Sequence, residues 1–231
     1  MSEITPAEWT AILLSLRVAV IATLVATPFG IALAWLLARH DFWGKSVLDA
    51  LVHLPLVLPP VVTGYLLLLT FGRRGLVGAW LADHLGIVFA FRWTGAALAC
   101  GVMSFPLLVR PIRLSIEAVD RRLEQAASTL GAPPWQVFAT VTLPLALPGV
   151  LAGMVLGFAK AIGEFGATIT FVSNIPGETQ TISSAIYSLI QTPDGDAAAL
   201  RLVIVSAVIA MAALIGSEWF ARRATRRLHG N

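Results

Sequence analysis

Residues 124–144 read EQAASTLGAPPWQVFATVTLP, a polar stretch with one glycine and three prolines set between two oily segments. Arg110, Arg113, Arg121 and Arg122 precede it. The surrounding chain is 57% hydrophobic and 13% charged, with a mean hydropathy of +0.82. Soluble chains are about half apolar and about a quarter charged. A soluble fold of this length has too little interior to hide so much apolar surface. The bilayer is the expected solvent, and the class is all-α and polytopic.

Five segments are apolar enough to span: about 12–38, 50–71, 94–110, 148–172 and 199–220. Each approaches the roughly 20 residues that a crossing needs. Pro28 in the first is tolerated as a kink. The second opens with HLPLVLPPVVTGY, too rich in proline for one regular helix, so a break is predicted there. Broken backbone at membrane depth must be buried in protein or face a watery cavity. That makes Pro59, Pro60 and Thr63 candidate pathway residues. The start, MSEITPAEW, lacks a basic n-region, so the first span is expected to stay in the mature protein.

Lysine and arginine set the orientation. Arg39, Lys45, Arg110, Arg113, Arg121, Arg122, Arg222, Arg223, Arg226 and Arg227 fall on one side; Arg73, Arg74 and Arg92 fall on the other. Arg17, Lys160 and Arg201 lie within or at the ends of spans, and Arg17 is expected to snorkel to the outer interface. The positive-inside bias assigns the 124–144 module and the basic tail 222–231 to the cytoplasm, with the N-terminus outside. The bases cluster beside spans, which argues against nucleic-acid binding despite a net charge of +3. Residues 75–91 read as an interfacial hairpin, and 179–192 as a short amphipathic outer helix or a re-entrant piece, too polar to span.

Within the module, 123–130 is predicted helical and Gly131 supplies a left-handed stop. Pro133 and Pro134 suit the start of a second short helix, and Thr142-Leu143-Pro144 is expected to turn the chain back toward lipid. Composition alone leaves a plain connecting loop equally open. The spacing, however, resembles the Glu-Ala-Ala loop of ABC-importer permeases, in which a glycine and a later Leu-Pro follow at fixed intervals. Gln125-Ala126-Ala127, Gly131, Val141 and Leu143-Pro144 occupy those positions. Gln125 stands where the family usually has glutamate, with Glu124 one residue earlier, and Val141 stands for isoleucine. Residues 8–221 resemble the permease subunits of molybdate transport systems through HLPLVLPPVVTGYLLLLTFGRRG, VMSFPLLVRPIRLSIE, GEFGATITFVSNIPGET and SLIQTP. Sulfate permeases share the pattern more loosely.

The resemblance implies a type I importer permease fold with a cytoplasmic coupling loop at 111–147. It implies a homodimer in the inner membrane, two cytoplasmic ATPases and an external oxyanion-binding protein. Glu124, Gln125, Ala126, Ala127, Gly131, Leu143 and Pro144 would then form the ATPase-coupling surface. No cofactor is expected in this chain, because ATP and magnesium would be held by the ATPase. The GKS at 44–46 is no P-loop: Arg39 stands where the earlier glycine must be.

The fourth span carries two signals. Gly149, Gly153 and Gly157 form a small-residue stripe for helix packing, within one subunit or between two. Lys160 and Glu164 are charges at membrane depth, where each costs about 2.5–3.5 kcal/mol. At i and i+4 they either lock helices together or, as the GEFGAT resemblance implies with Thr168, line the route of an anion. His40, His53, His84 and His229 are scattered and suggest no metal site, and Cys100 stands alone. An intramembrane enzyme using Glu164 would need a second deep polar partner, and only Arg17 and Lys160 are available. A purely structural membrane scaffold is the other reading.

Overall fold

In a computed structural model the backbone is described for residues 4–228 and the side chains for residues 4–216. The side chains of the predicted basic tail, and His229 altogether, lie outside the described residues.

The first helix, α1, runs Pro6–Arg39 and is longer than the 12–38 read from hydropathy. Thr5 starts it with a capping box: its hydroxyl accepts the Glu8 N–H at 3.3 Å, and the Glu8 carboxylate accepts the Thr5 N–H at 2.6 Å. At 1.5 Å per residue α1 is about 50 Å long, well over the ~30 Å hydrocarbon core, so its ends project.

The predicted break appears between α2 (Lys45–Val57) and α3 (Pro60–Phe71), which meet at 114°. Proline at 59 disfavours helical backbone at Leu58, which is extended at φ −70°, ψ 143°. Pro60 then restarts the helix, where a missing N–H costs nothing. The short helix α4 (Leu76–Leu85) ends in left-handed Gly86, and the chain returns to α5 (Trp93–Glu117).

In α5, 61% of the apolar window is buried, against 11% for the last span, so α5 is the central post. It packs on α1 and on α8, introduced below. It continues helical beyond the expected end at residue 110.

The polar module holds α6 (Arg121–Thr129), capped by the Asp120 side chain on the Arg122 N–H at 2.9 Å. Gly131 ends it at φ +90°, the left-handed stop predicted. Then α7 (Pro134–Val137), a π-helical segment (Phe138–Thr142) and α8 (Leu143–Ile162) run on without a turn. The expected turn at Thr142-Leu143-Pro144 is therefore corrected. In the wider π turn the Leu143 N–H reaches the Phe138 carbonyl, and a π register accommodates the Pro144 ring that would clash in a plain α-helix. The 111–147 loop shrinks accordingly, because 111–117 finish α5 and 143–147 open α8.

A second correction concerns 148–172, which is not one span. α8 stops at Ile162, and α9 (Gly166–Val172) starts afresh after a three-residue break. α10 (Ile182–Leu189) is a short helix within the 179–192 stretch, as predicted; its Ile182 N–H bonds the buried Ser15 hydroxyl of α1 at 2.7 Å. α11 (Asp196–Leu228) closes the bundle. Near its start Arg201 meets Glu8 of α1 at 2.8 Å. Among the described residues, four helices are long and apolar enough to cross a membrane, or five spans if the bent α2–α3 pair counts as one.

Candidate functional site

Two polar knots stand out, each centred on a glutamate. In the first, Glu124 Oε1 accepts from Arg39 Nη2 at 3.0 Å, Arg39 Nε at 3.2 Å and the Thr142 hydroxyl at 2.6 Å. Arg39 Nη2 also donates to the Val119 carbonyl at 3.1 Å. The Arg39 and Glu124 side chains are 9% and 17% exposed. Glu124 thus faces inward and ties α6 to the end of α1 and to the π turn leading into α8.

Gln125 and Ala126 face outward and are exposed, while Ala127, Leu143 and Pro144 are half-buried. A Cβ at Gly131 would meet nothing within 4 Å. Around this face Leu123, Leu130 and Trp135 are 50%, 88% and 72% exposed. Large apolar side chains on a helix pair that is otherwise polar mark a surface built to be covered. Arg39, Thr142, Leu123, Leu130 and Trp135 were not singled out from the sequence. The signal for the leucines was available, since two apolar residues seven apart share a face of the polar α6 region.

The second knot lies at the α8–α9 break. Lys160 Nζ donates to Glu164 Oε2 at 2.7 Å, and Glu164 Oε1 accepts the Ala167 N–H at 3.0 Å. The first N–H groups of any helix lack internal partners, so Glu164 both neutralises Lys160 and satisfies the start of α9. Its side chain is 1% exposed, whereas Lys160 is 30% exposed. The Thr168 hydroxyl turns back onto the Phe165 carbonyl at 2.8 Å.

The break of the fourth span lies against the restart after the break in the second. A Cβ on Gly64 would come 2.5 Å from the Ala167 carbonyl oxygen, and one on Gly166 would come 2.7 Å from Pro60 Cβ. Glycine at both positions lets α3 and α9 touch backbone to backbone. Thr63, beside this contact, has a buried hydroxyl with no partner, and Pro59 and Pro60 are exposed. The structure therefore brings Pro60 and Thr63 into one region with Glu164 and Thr168.

The glycine stripe packs inside the chain. A Cβ on Gly149 would sit 2.6 Å from the Pro111 carbonyl oxygen, and one on Gly153 would sit 2.5 Å from that of Leu108. Gly157 faces Leu108 more loosely, at 3.6 Å. The partner is α5 of the same chain.

Lys45 pairs with Asp41 at 2.7 Å, and Gly44 only starts α2. Arg17 holds its guanidinium 3.8 Å above the Trp93 ring. His53 and His84 bond carbonyls one turn back, and His40 packs edge-on against Trp35. Among the described residues, no group of three His, Cys, Asp or Glu converges as a metal site would.

Residues 26–226 match the family described as binding-protein-dependent transport system inner membrane component. The molybdenum transport system permease protein ModB of Escherichia coli (strain K12) is 62% identical over 224 residues, covering 97% of this chain and 98% of that protein. The ModB of Haemophilus influenzae is 56% identical over 221 residues, 96% of each. The sulfate transport system permease protein CysT of E. coli K12 is 39% identical over 190 residues, 82% of this chain and 68% of that protein.

Among solved structures, a chain of a bacterial alginate ABC transporter superposes with a TM-score of 0.75 at 20% identity, covering 96% of this chain and 81% of that one. A chain of the inward-facing MetNI methionine transporter gives 0.68 at 16%, covering 98% and 100%. At such identities these two establish the fold alone. The chain belongs to the family of inner-membrane permease components of binding-protein-dependent transport systems.

Proposed function

We propose that this chain is the permease subunit of an ATP-driven importer that carries molybdate across the inner membrane by alternating access. The near full-length 62% identity to the E. coli molybdenum permease carries the reading. The working unit is two copies of this chain, two cytoplasmic ATPases and an external molybdate-binding protein. The module and the C-terminus lie in the cytoplasm and the N-terminus outside. ATP and magnesium are bound by the ATPase.

The exposed Gln125–Ala126 face with Leu123, Leu130 and Trp135 is the surface the ATPase covers. Closure of the ATPase pair draws the two modules together. The Arg39–Glu124–Thr142 knot passes that movement to α1 and α8. At the far end of α8, Lys160 offsets the charge of the passing dianion, and Glu164 keeps the ammonium from holding it. A paired lysine lets the anion go; a bare, buried one would trap it.

Molybdate uptake in cells that lack their own permease tests the proposal. The wild-type chain, supplied with its ATPase and binding protein, should restore uptake. Lys160→Ala should reduce it while the ATPase still co-purifies. Full uptake by that variant removes Lys160 from the pathway. Gly131→Asp should abolish ATPase co-purification; full association and uptake would sink the coupling assignment. Sulfate, the second reading, is favoured by the 39% identity to the sulfate permease, and tungstate shares the same tetrahedral chemistry. Import of sulfate in preference to molybdate would establish the sulfate reading.

A further inference from the structure

At the end of the bundle away from the coupling module, Arg17, Arg73 and Arg92 line one cavity of about 960 Å³. None of the three guanidiniums has a carboxylate within ion-pair distance or a hydrogen-bond acceptor among the described residues. Glu178 lines the same cavity without pairing. Three positive charges facing one negative charge leave an enclosure suited to an anion.

The depth of this cavity is fixed by α1. Arg17 precedes Arg39 by 22 residues, or about 33 Å of helix, close to the ~30 Å hydrocarbon thickness. Arg39 and Arg17 therefore mark the two faces of the membrane core. Trp93, under Arg17, is the ring type that anchors at such a boundary.

Beneath the basic cavity runs an apolar groove of about 670 Å³, and the two share Trp93 and Thr94 as common walls. The groove descends along Ile21, Val25 and Phe29 of α1 and Gly101 of α5, with Leu51 of α2 flanking it. Ile21 to Phe29 is about 12 Å along the helix axis. A charged chamber at the interface thus opens into an oily channel pointing into the bilayer.

We infer that an anionic phospholipid occupies this composite site. Its phosphate sits among Arg17, Arg73 and Arg92, and an acyl chain lies in the groove. A free tetrahedral oxyanion matches the charge and leaves the groove unfilled. A helix of a second copy matches the groove and brings no anion to the arginines. Only a lipid with both parts satisfies both cavities. The inference needs the membrane placement but not the identity of the cargo.

Native mass spectrometry of the full-length protein, titrated with phosphatidylglycerol or phosphatidylcholine, tests it. Wild type should retain phosphatidylglycerol on the order of 20-fold better, from bases near the lipid surface. Joint Arg73→Gln and Arg92→Gln substitution should erase the preference. Gly101→Leu should weaken retention of both lipids by filling the groove; its Cβ would have only Ala22 within 4 Å, at 3.8 Å, so the backbone need not move. Thermal unfolding of each variant checks the fold independently.

Equal retention of the two lipids by wild type overturns the inference, as does a preference that survives the double substitution. Displacement of the lipid by millimolar molybdate or sulfate overturns it in favour of a small-anion vestibule. Efficient disulfide cross-linking of Phe29→Cys between copies overturns it in favour of a subunit interface. Uptake is a separate readout: a wild type that imports molybdate but shows no lipid preference refutes only this inference, and one that shows the preference but imports no molybdate refutes only the proposed function.

Discussion

Glu124 and Glu164 are both carboxylates that hold a base and satisfy a second donor, yet they do opposite jobs. Glu124 gathers partners from far along the chain, Arg39 at a separation of 85 residues and Thr142 at 18. Glu164 uses only Lys160 and Ala167, within four residues on either side. One is a tertiary tie at the membrane edge, and the other caps a break inside the membrane. An ion pair's environment, more than its chemistry, sets whether it joins distant elements or holds a local break.

Burial ranks the consequences. Glu164→Ala leaves the partly exposed Lys160 without its counter-charge and the buried Ala167 amide without an acceptor, and should cost about 3 kcal/mol in unfolding of the purified protein. Replacing both charges, Lys160→Met with Glu164→Leu, should recover more than half of that, because no uncompensated charge remains. If Glu124→Ala destabilised more than Glu164→Ala, the ranking of the two knots would be reversed.

The backbone contact beside Glu164 comes next. Gly64→Ala pushes a methyl against the Ala167 carbonyl and should cost about 2 kcal/mol by the same measurement. An unchanged melting temperature would show that α3 and α9 can separate freely.

At the other knot the expected loss is in coupling more than in stability. Arg39→Ala should lower molybdate imported per ATP hydrolysed roughly tenfold, a coupling change of about 1–2 kcal/mol. Glu124→Gln, which keeps a hydrogen-bonding oxygen, should lose less. Equal loss in the two variants, or loss of ATPase association in either, would make the knot part of the docking surface instead of a strut behind it.

The smallest effects belong to the outward face. Gly131→Ala meets no neighbouring atom, so only its left-handed backbone is strained, by about 1 kcal/mol. Gln125→Ala, fully outward, should change stability by less than about 0.5 kcal/mol. Any larger effect of either on ATPase co-purification then reports docking directly.

The legibility of these regions follows the reach of the forces involved. The Lys160–Glu164 pair could be read from spacing because i and i+4 share a helix face. The break beside it could not, since AIGEFGATITFV, Glu164 apart, stays apolar enough to read as one span. What holds the break open is the Glu164 carboxylate on the Ala167 amide and the close approach of α3, both visible only after packing. Likewise Thr142-Leu143-Pro144 carried a proline signal for a turn, which a π turn absorbed within a continuous helix. Glu124 reads from sequence as part of the docking face; its hydrogen-bond partner Arg39 enters that reading only as a charge and as the residue that breaks a P-loop spacing.

The sequence by itself determined the solvent, the helical class, the proline break between α2 and α3, and the glycine stop after α6. These depend on partition into lipid and on steric rules that act within a few residues of the chain. The tertiary structure alone decided that Glu124 turns inward, that the charged span is broken, and that the glycine stripe faces α5 of its own chain. Each of those depends on which surfaces meet when helices distant in sequence pack. Local sterics carry no record of that; it emerges only when the whole bundle closes around α5.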